Sequence, residues 1–224
     1  MALNFNNIFS GERERVITSY EFVDLAKQRA VIPLYGGHTT ISAANLYTLS
    51  TTRFYSTYVS TAATISAAGG SQYILGLNLN FDQLIELPMV IEGDIIVNVP
   101  LAVDANAAST GNVFADVFLH IIGKEGTNTL IGSSTTRILE STAGTLAKTI
   151  TAVKINVGLT HLKGGDTFRL NIQVYGNNVG GGDTTAVYLG HDPWNSDTNG
   201  GASEIDWGTT ITALQVLLPV RIDI

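Results

Sequence analysis

TTITALQVLLPVRIDI, Thr209 to Ile224, is the stretch on which the fold turns. Thr212, Leu214, Val216, Leu218, Val220, Ile222 and Ile224 share one side of an extended chain. Ile211, Ala213, Gln215, Leu217, Pro219, Arg221 and Asp223 share the other. The first set is almost wholly apolar, so the alternation predicts a strand with one face in a core. A terminal strand so committed to burial sits centrally in its sheet, and the chain before it must supply partners on both sides. The nearest candidate is Ala186-Val187-Tyr188-Leu189, separated from it by the loop GHDPWNSDTNGGASEIDWG (Gly190 to Gly208).

Upstream of that loop, strand follows strand. Lys163 to Gly176 is a tight turn feeding a run with Phe168, Leu170, Ile172 and Val174 on one face and Arg169, Asn171, Gln173 and Tyr175 on the other. Lys148 to Val157, Leu130 to Leu139 and Val113 to Gly123 repeat the pattern. Met89 to Val103 reads as two runs bent around Glu92-Gly93-Asp94 and Pro100. In Tyr73 to Phe81, Tyr73, Leu75, Leu77 and Leu79 are assigned to one side, with Gly76, Asn78 and Asn80 opposite. Arg53 to Ser66 alternates aromatic and polar residues, and Val31 to Thr40 gives a short strand ending in a Gly36-Gly37 turn. About nine or ten strands with turn signals between them predict an all-β antiparallel β-sandwich, a jelly roll. No fixed-period repeat is visible, which sets a solenoid or propeller aside.

Residues 1–30 read differently. Phe5, Ile8 and Phe9 stand among asparagines in an arm that docks or frays. Thr18 and Glu21 form a capping box for one short amphipathic helix, Thr18 to Ala30, stopped by Pro33. The expected organisation is an arm plus helix over 1–30 and a single sandwich domain over 31–224.

The composition narrows the class. In 224 residues, 45% are hydrophobic and only 14% charged, with the balance made up by Thr, Ser, Asn and Gly. A surface so short of charge points to an oligomer or a lattice component. The net charge is −7: the first 53 residues carry five basic and four acidic side chains, and the rest seven and fifteen. No segment has the Lys/Arg density of a nucleic-acid footprint, so genome binding is not expected. The chain has no cysteine, which removes disulfides, thiolate metal sites and a cysteine nucleophile. MALNFNNIFSGERER lacks the apolar core of a signal peptide, and no apolar run approaches the roughly 18 residues that span a membrane. Cytoplasmic synthesis and no membrane association are expected.

No catalytic constellation is legible, and the expectation is a protein that is not an enzyme. His38, His120, His161 and His191 lack metal-ligand spacing and read as structural or surface histidines. Gly132-Ser133-Ser134 is read as a turn without the strand-to-helix geometry of a nucleophile elbow. Gly164-Gly165-Asp166 puts an acid where a phosphate loop needs a lysine. No pair of carboxylates stands out for glycoside hydrolysis. The sharpest local pattern is NSDTNGGASEID, with Asn195, Asp197, Asn199 and Asp206 at positions 1, 3, 5 and 12 and Gly200 at position 6, the oxygen-ligand spacing of a Ca²⁺ loop. Asn at position 1, the short Asp206 and strand-like flanks oppose it, and these residue types also make ordinary turns. No other cofactor is expected.

YLGHDPWN (Tyr188 to Asn195), the Gly/Asp-rich loop and the C-terminal run ending PVRIDI resemble the tail end of virion proteins encoded by tailed phages. KGGDTFRLNIQVYG and the early YGGHTT (Tyr35 to Thr40) fit the same order. The resemblance implies a jelly-roll virion protein, commonly a homotrimer, on or in the capsid and in contact with copies of itself and other capsid proteins. A decoration or cement protein comes first, a capsid-shell protein second, a receptor-binding head third. The rival outside virions is a carbohydrate-binding β-sandwich, for which Trp194 and Trp207 would have to lie side by side in solvent. A hydrolase would instead show convergent carboxylates in a cleft.

Overall fold

The computed structural model describes residues 29–41, 44–53, 60–66, 72–105, 110–142, 144–179, 184–191, 207 and 210–221. Twelve strands run through them: β1 (Arg29–Ile41), β2 (Ala44–Ser50), β3 (Ser60–Ser66), β4 (Ile74–Leu84), β5 (Met89–Ala105), β6 (Thr110–Ile122), β7 (Asn128–Thr135), β8 (Leu139–Ser141), β9 (Leu146–Leu162), β10 (Thr167–Val179), β11 (Thr184–Gly190) and β12 (Gln215–Arg221). The arm and nearly all of the expected helix lie outside the described residues. Arg29 and Ala30, assigned to the helix, instead open β1.

The C-terminal stretch behaves as its alternation requires. Leu214, Val216, Leu218 and Val220 are buried, and β12 is hydrogen-bonded between β1 and β5. Around it one layer runs β9, β5, β12, β1, β2, with β11 and β3 continuing beside the second half of β5. The other layer is β4, β10, β6, with β7 and β8 sharing the far edge of β6. All ladders are antiparallel except a single parallel bridge between Thr48 and Asp82, where β2 meets β4 and the sheet folds over onto its second layer. The result is an antiparallel β-sandwich. Its core joins Ile95, Val97, Val99 and Leu101 of β5 to Phe81, Leu170, Ile172 and Val117 across the layers, all essentially without solvent exposure. Burial on this scale, at about 25 cal/mol per Å² of apolar surface, supplies the main stabilising term.

Three local readings change. Gly36-Gly37 is not a turn: β1 runs through it to Ile41. Gly36 lies so close to β12's approach that a Cβ there would sit 2.6 Å from Leu214 Cδ2, and its N–H donates to the Leu214 carbonyl at 2.8 Å. Gly132-Ser133-Ser134 is likewise not a turn but part of the edge strand β7. Most consequential is β4. A register shift opposite Val174/Tyr175 pairs Leu77 with Val174 but Leu75 with Tyr175. The extra residue reverses the alternation at Gly76, so Leu77 and Leu79 point inward while Tyr73 and Leu75 are exposed. The Lys163–Asp166 turn is as read: Gly165 adopts φ +94°, and the Asp166 carboxylate accepts a hydrogen bond from the Lys163 N–H at 2.8 Å, a turn-closing role rather than phosphate chemistry.

Candidate functional site

Register places four cross-strand rows on the outer face of the second layer. Asp82, Arg169, His120 and Leu130 form the first; Asn80, Asn171, Phe118 and Ser133 the next; then Asn78, Gln173, Asp116 and Thr135; then Leu75, Tyr175 and Phe114. Arg169 grips Asp82 with two bonds of 2.7 Å, a bidentate geometry. The bond to Asp82 raises the Arg169 guanidinium above its ordinary value despite some burial. Asn171 is buried beneath its neighbours, and its amide donates to Asn78 Oδ1 at 2.6 Å and Asn80 Oδ1 at 2.8 Å. Gln173 Nε2 donates to Asn171 Oδ1 at 3.3 Å, and the Tyr175 hydroxyl donates to Gln173 Oε1 at 2.8 Å. The chain of amides ends in aromatics: Tyr175 stacks on Phe114 with centroids 5.2 Å apart and planes 12° from parallel, and Tyr73 meets Phe114 edge-on at 4.9 Å.

The outer face of the first layer is built otherwise. Val31, Pro33, Leu217, Pro219, Ile96 and Ala152 are cross-strand or next-row neighbours on β1, β12, β5 and β9. Val31 and Ile96 stay exposed; Ile150, also exposed, pairs with Pro100 beyond the hydrogen-bonded Asn98 and Gln215. Lys154, the cross-strand partner of Ile96, forms a surface ion pair with Asp94 at 2.8 Å; the Lys154 bond, then the Asn156 amide, hold the Asp94 carboxyl below its usual range.

Between the layers lies a feature invisible in the sequence. His38 of β1 and His191, just past β11, belong to the two separate motifs YGGHTT and YLGHDPWN, yet their rings are 5.5 Å apart. Tyr47 packs on both, and Phe81 on His191. His191 is fully buried. Its Nε2 is 3.0 Å from Thr61 Oγ1, which in turn is 3.1 Å from the Tyr47 hydroxyl; its Nδ1 has no hydrogen-bond partner among the described residues. Burial first, and the charge of His38 second, push the His191 pKa down to about 3, so the imidazole is neutral in any ordinary medium. Each histidine had read as structural or surface; the structure brings these two into one internal cluster. His120, by contrast, is on the outer face beside Asn128, with Nδ1 2.8 Å from Asn128 Oδ1, and His161 is exposed near the end of β9.

The remaining sequence candidates divide. Asn195, Asp197, Asn199 and Asp206, the Ca²⁺ pattern, lie outside the described residues, as does Trp194. Among the described residues no group of three His, Cys, Asp or Glu is arranged to hold a metal. Trp207 is fully buried on Ala102 and Tyr188, with its indole N–H donating to Ser60 Oγ at 3.4 Å, so it offers no sugar-stacking ring.

No family model and no curated protein matches the sequence. Among solved structures, an α-amino acid ester hydrolase superposes with a TM-score of 0.52 at 11% identity, over 85% of this chain and 36% of that one. An aminopeptidase from the marine sediment archaeon Thaumarchaeota archaeon gives 0.52 at 6% identity, over 87% and 37%. A chain of infectious bursal disease virus, Gx strain, aligns over 88% and 38% with 11% identity, but at a TM-score of 0.28 that superposition carries no argument. The chain spans little more than a third of each of these proteins. At such identities the likeness is one of fold. It nevertheless overturns the expectation that this chain is not an enzyme: the same sandwich is built into hydrolase chains. Activity belongs to sites rather than folds, so a β-sandwich without a legible catalytic motif does not stand apart from enzymes.

Proposed function

We propose that the chain is a virion structural protein, a decoration or shell subunit that holds neighbouring copies through the outer face of β1, β12, β5 and β9. The observation that carries this is the apolar block of Val31, Pro33, Leu217, Pro219 and Ile96 there, with Val31 37% and Ile96 36% exposed. On a chain with 14% charged residues, such a block is surface made for burial against protein. The resemblance of YLGHDPWN and PVRIDI to phage virion proteins supports the same role, with a homotrimer as the expected unit.

Light scattering on the purified chain tests it. The wild type is expected to assemble, and Ile96→Asp, a change at an exposed position, to release monomers that keep their thermal midpoint. A monomeric wild type, or an assembly indifferent to Ile96→Asp, refutes the use of this face. The superposition on hydrolases favours a second reading, in which the sandwich is one part of a longer hydrolase and this face packs on the remainder. Turnover of α-amino acid esters by the chain in its full natural context would select that reading.

A further inference from the structure

The structure assigns a glycan-binding surface to the outer face of β4, β10 and β6, with a neutral oligosaccharide as its ligand. Three observations converge on this chemistry. Asn171 consumes the side-chain carbonyls of both Asn78 and Asn80, which fixes their orientation and leaves each with its NH₂ group directed away from that bond. Both asparagines are exposed, and two positions apart on a strand they set paired donors about 7 Å from one another, a span on the scale of the hydroxyls of one or two sugar rings. The donors are held by a chain of hydrogen bonds through Asn171, Gln173 and Tyr175, so little freedom is left to lose when a ligand arrives.

The aromatic end supplies the other half of sugar recognition. A pyranose is polar at its rim and apolar on its C–H faces, and Tyr73, 37% exposed and braced edge-on by Phe114, offers an apolar ring with a polar tip. Charge decides between glycan classes. Arg169 is already bound bidentately to Asp82, while the Asp116 carboxylate accepts a hydrogen bond from the neutral Thr135 hydroxyl. Sulfated or uronic sugars would meet a carboxylate without a free guanidinium to offset it. This face is on the layer opposite the apolar block, so a subunit docked through the block keeps the glycan surface outward, although neither proposal depends on the other.

Affinity electrophoresis of the whole chain in gels containing dextran, xylan, laminarin or galactomannan tests the assignment, with heparin as the anionic probe. Retardation by at least one neutral polysaccharide is expected, with none by heparin beyond the empty gel. Tyr73→Ala and Asn80→Ala are each expected to weaken that retardation about tenfold, the loss of one stacking ring or one oriented amide; the urea midpoint of Tyr73→Ala stays unchanged, while Asn80→Ala, which also removes an acceptor of the buried Asn171 amide, lowers it and still leaves the protein folded in the gel. No retardation in any neutral gel overturns the assignment. So does retardation of both variants equal to that of the wild type, or preferential binding to heparin.

Discussion

Acidification should destabilise this protein through His191. In an unfolded chain the imidazole titrates near 6.5; in the folded protein its pKa lies at about 3. Between those values the unfolded state binds a proton that the folded state refuses. Stability from this residue is therefore complete above about pH 6.5 and lost progressively as pH falls toward 3. Going from pH 7.5 to 5.0 crosses about one and a half units of that window, a loss of about 2 kcal/mol. Among the described residues, the titratable groups facing the ring are His38 from β1 and Tyr47 from β2, and Phe81 and Thr61 also pack against it. The assay is urea unfolding at both pH values for the wild type and for His191→Gln, whose amide keeps a polar group near Thr61 but does not titrate. Carboxylates also titrate in this range, and both proteins share them, so the difference of differences isolates His191. The wild type should lose about 2 kcal/mol more than the variant, read as a shift in midpoint with the slope unchanged. Equal losses in the two proteins would refute the buried, proton-excluding environment.

Other consequences are separable. Gly36→Ala places a methyl 2.6 Å from Leu214 Cδ2 and 3.0 Å from its Cβ and Cγ, and calorimetry should show a lowered midpoint equivalent to about 1–3 kcal/mol. Trp207→Ala removes the largest fully buried side chain among the described residues from Ala102 and Tyr188, with an expected cost of about 3–5 kcal/mol by chemical unfolding; a loss below about 1 kcal/mol would mean the indole is not packed there. Arg169→Lys cannot reproduce the two-bond grip on Asp82, yet at a partly exposed site it should cost no more than about 1 kcal/mol.

Alternation alone determined the β-sandwich and the facing of most strands. The inward rows Leu214–Val220, Phe168–Val174 and Val113–Leu119 are apolar every second residue, and a period of two admits one assignment of faces. It did not determine where a strand sits in its sheet: β12 lies between β1 and β5, whereas β9, with Val153, Ile155 and Val157 just as regularly buried, pairs with β5 alone among the described residues. Tertiary structure decided what depends on which strands meet. Gly36 looked like a turn because glycine is common in turns, and only Leu214, far away in sequence, explains the missing side chain. The bulge at Gly76 is a mismatch between two strands and leaves no mark in one of them; it turned Tyr73 out of the core and onto the amide-lined face. His38 and His191 each lacked ligand spacing along the chain. Their meeting is set by ladders that join β1 to β12, β12 to β5 and β5 to β11, a long-range closure that no local pattern encodes.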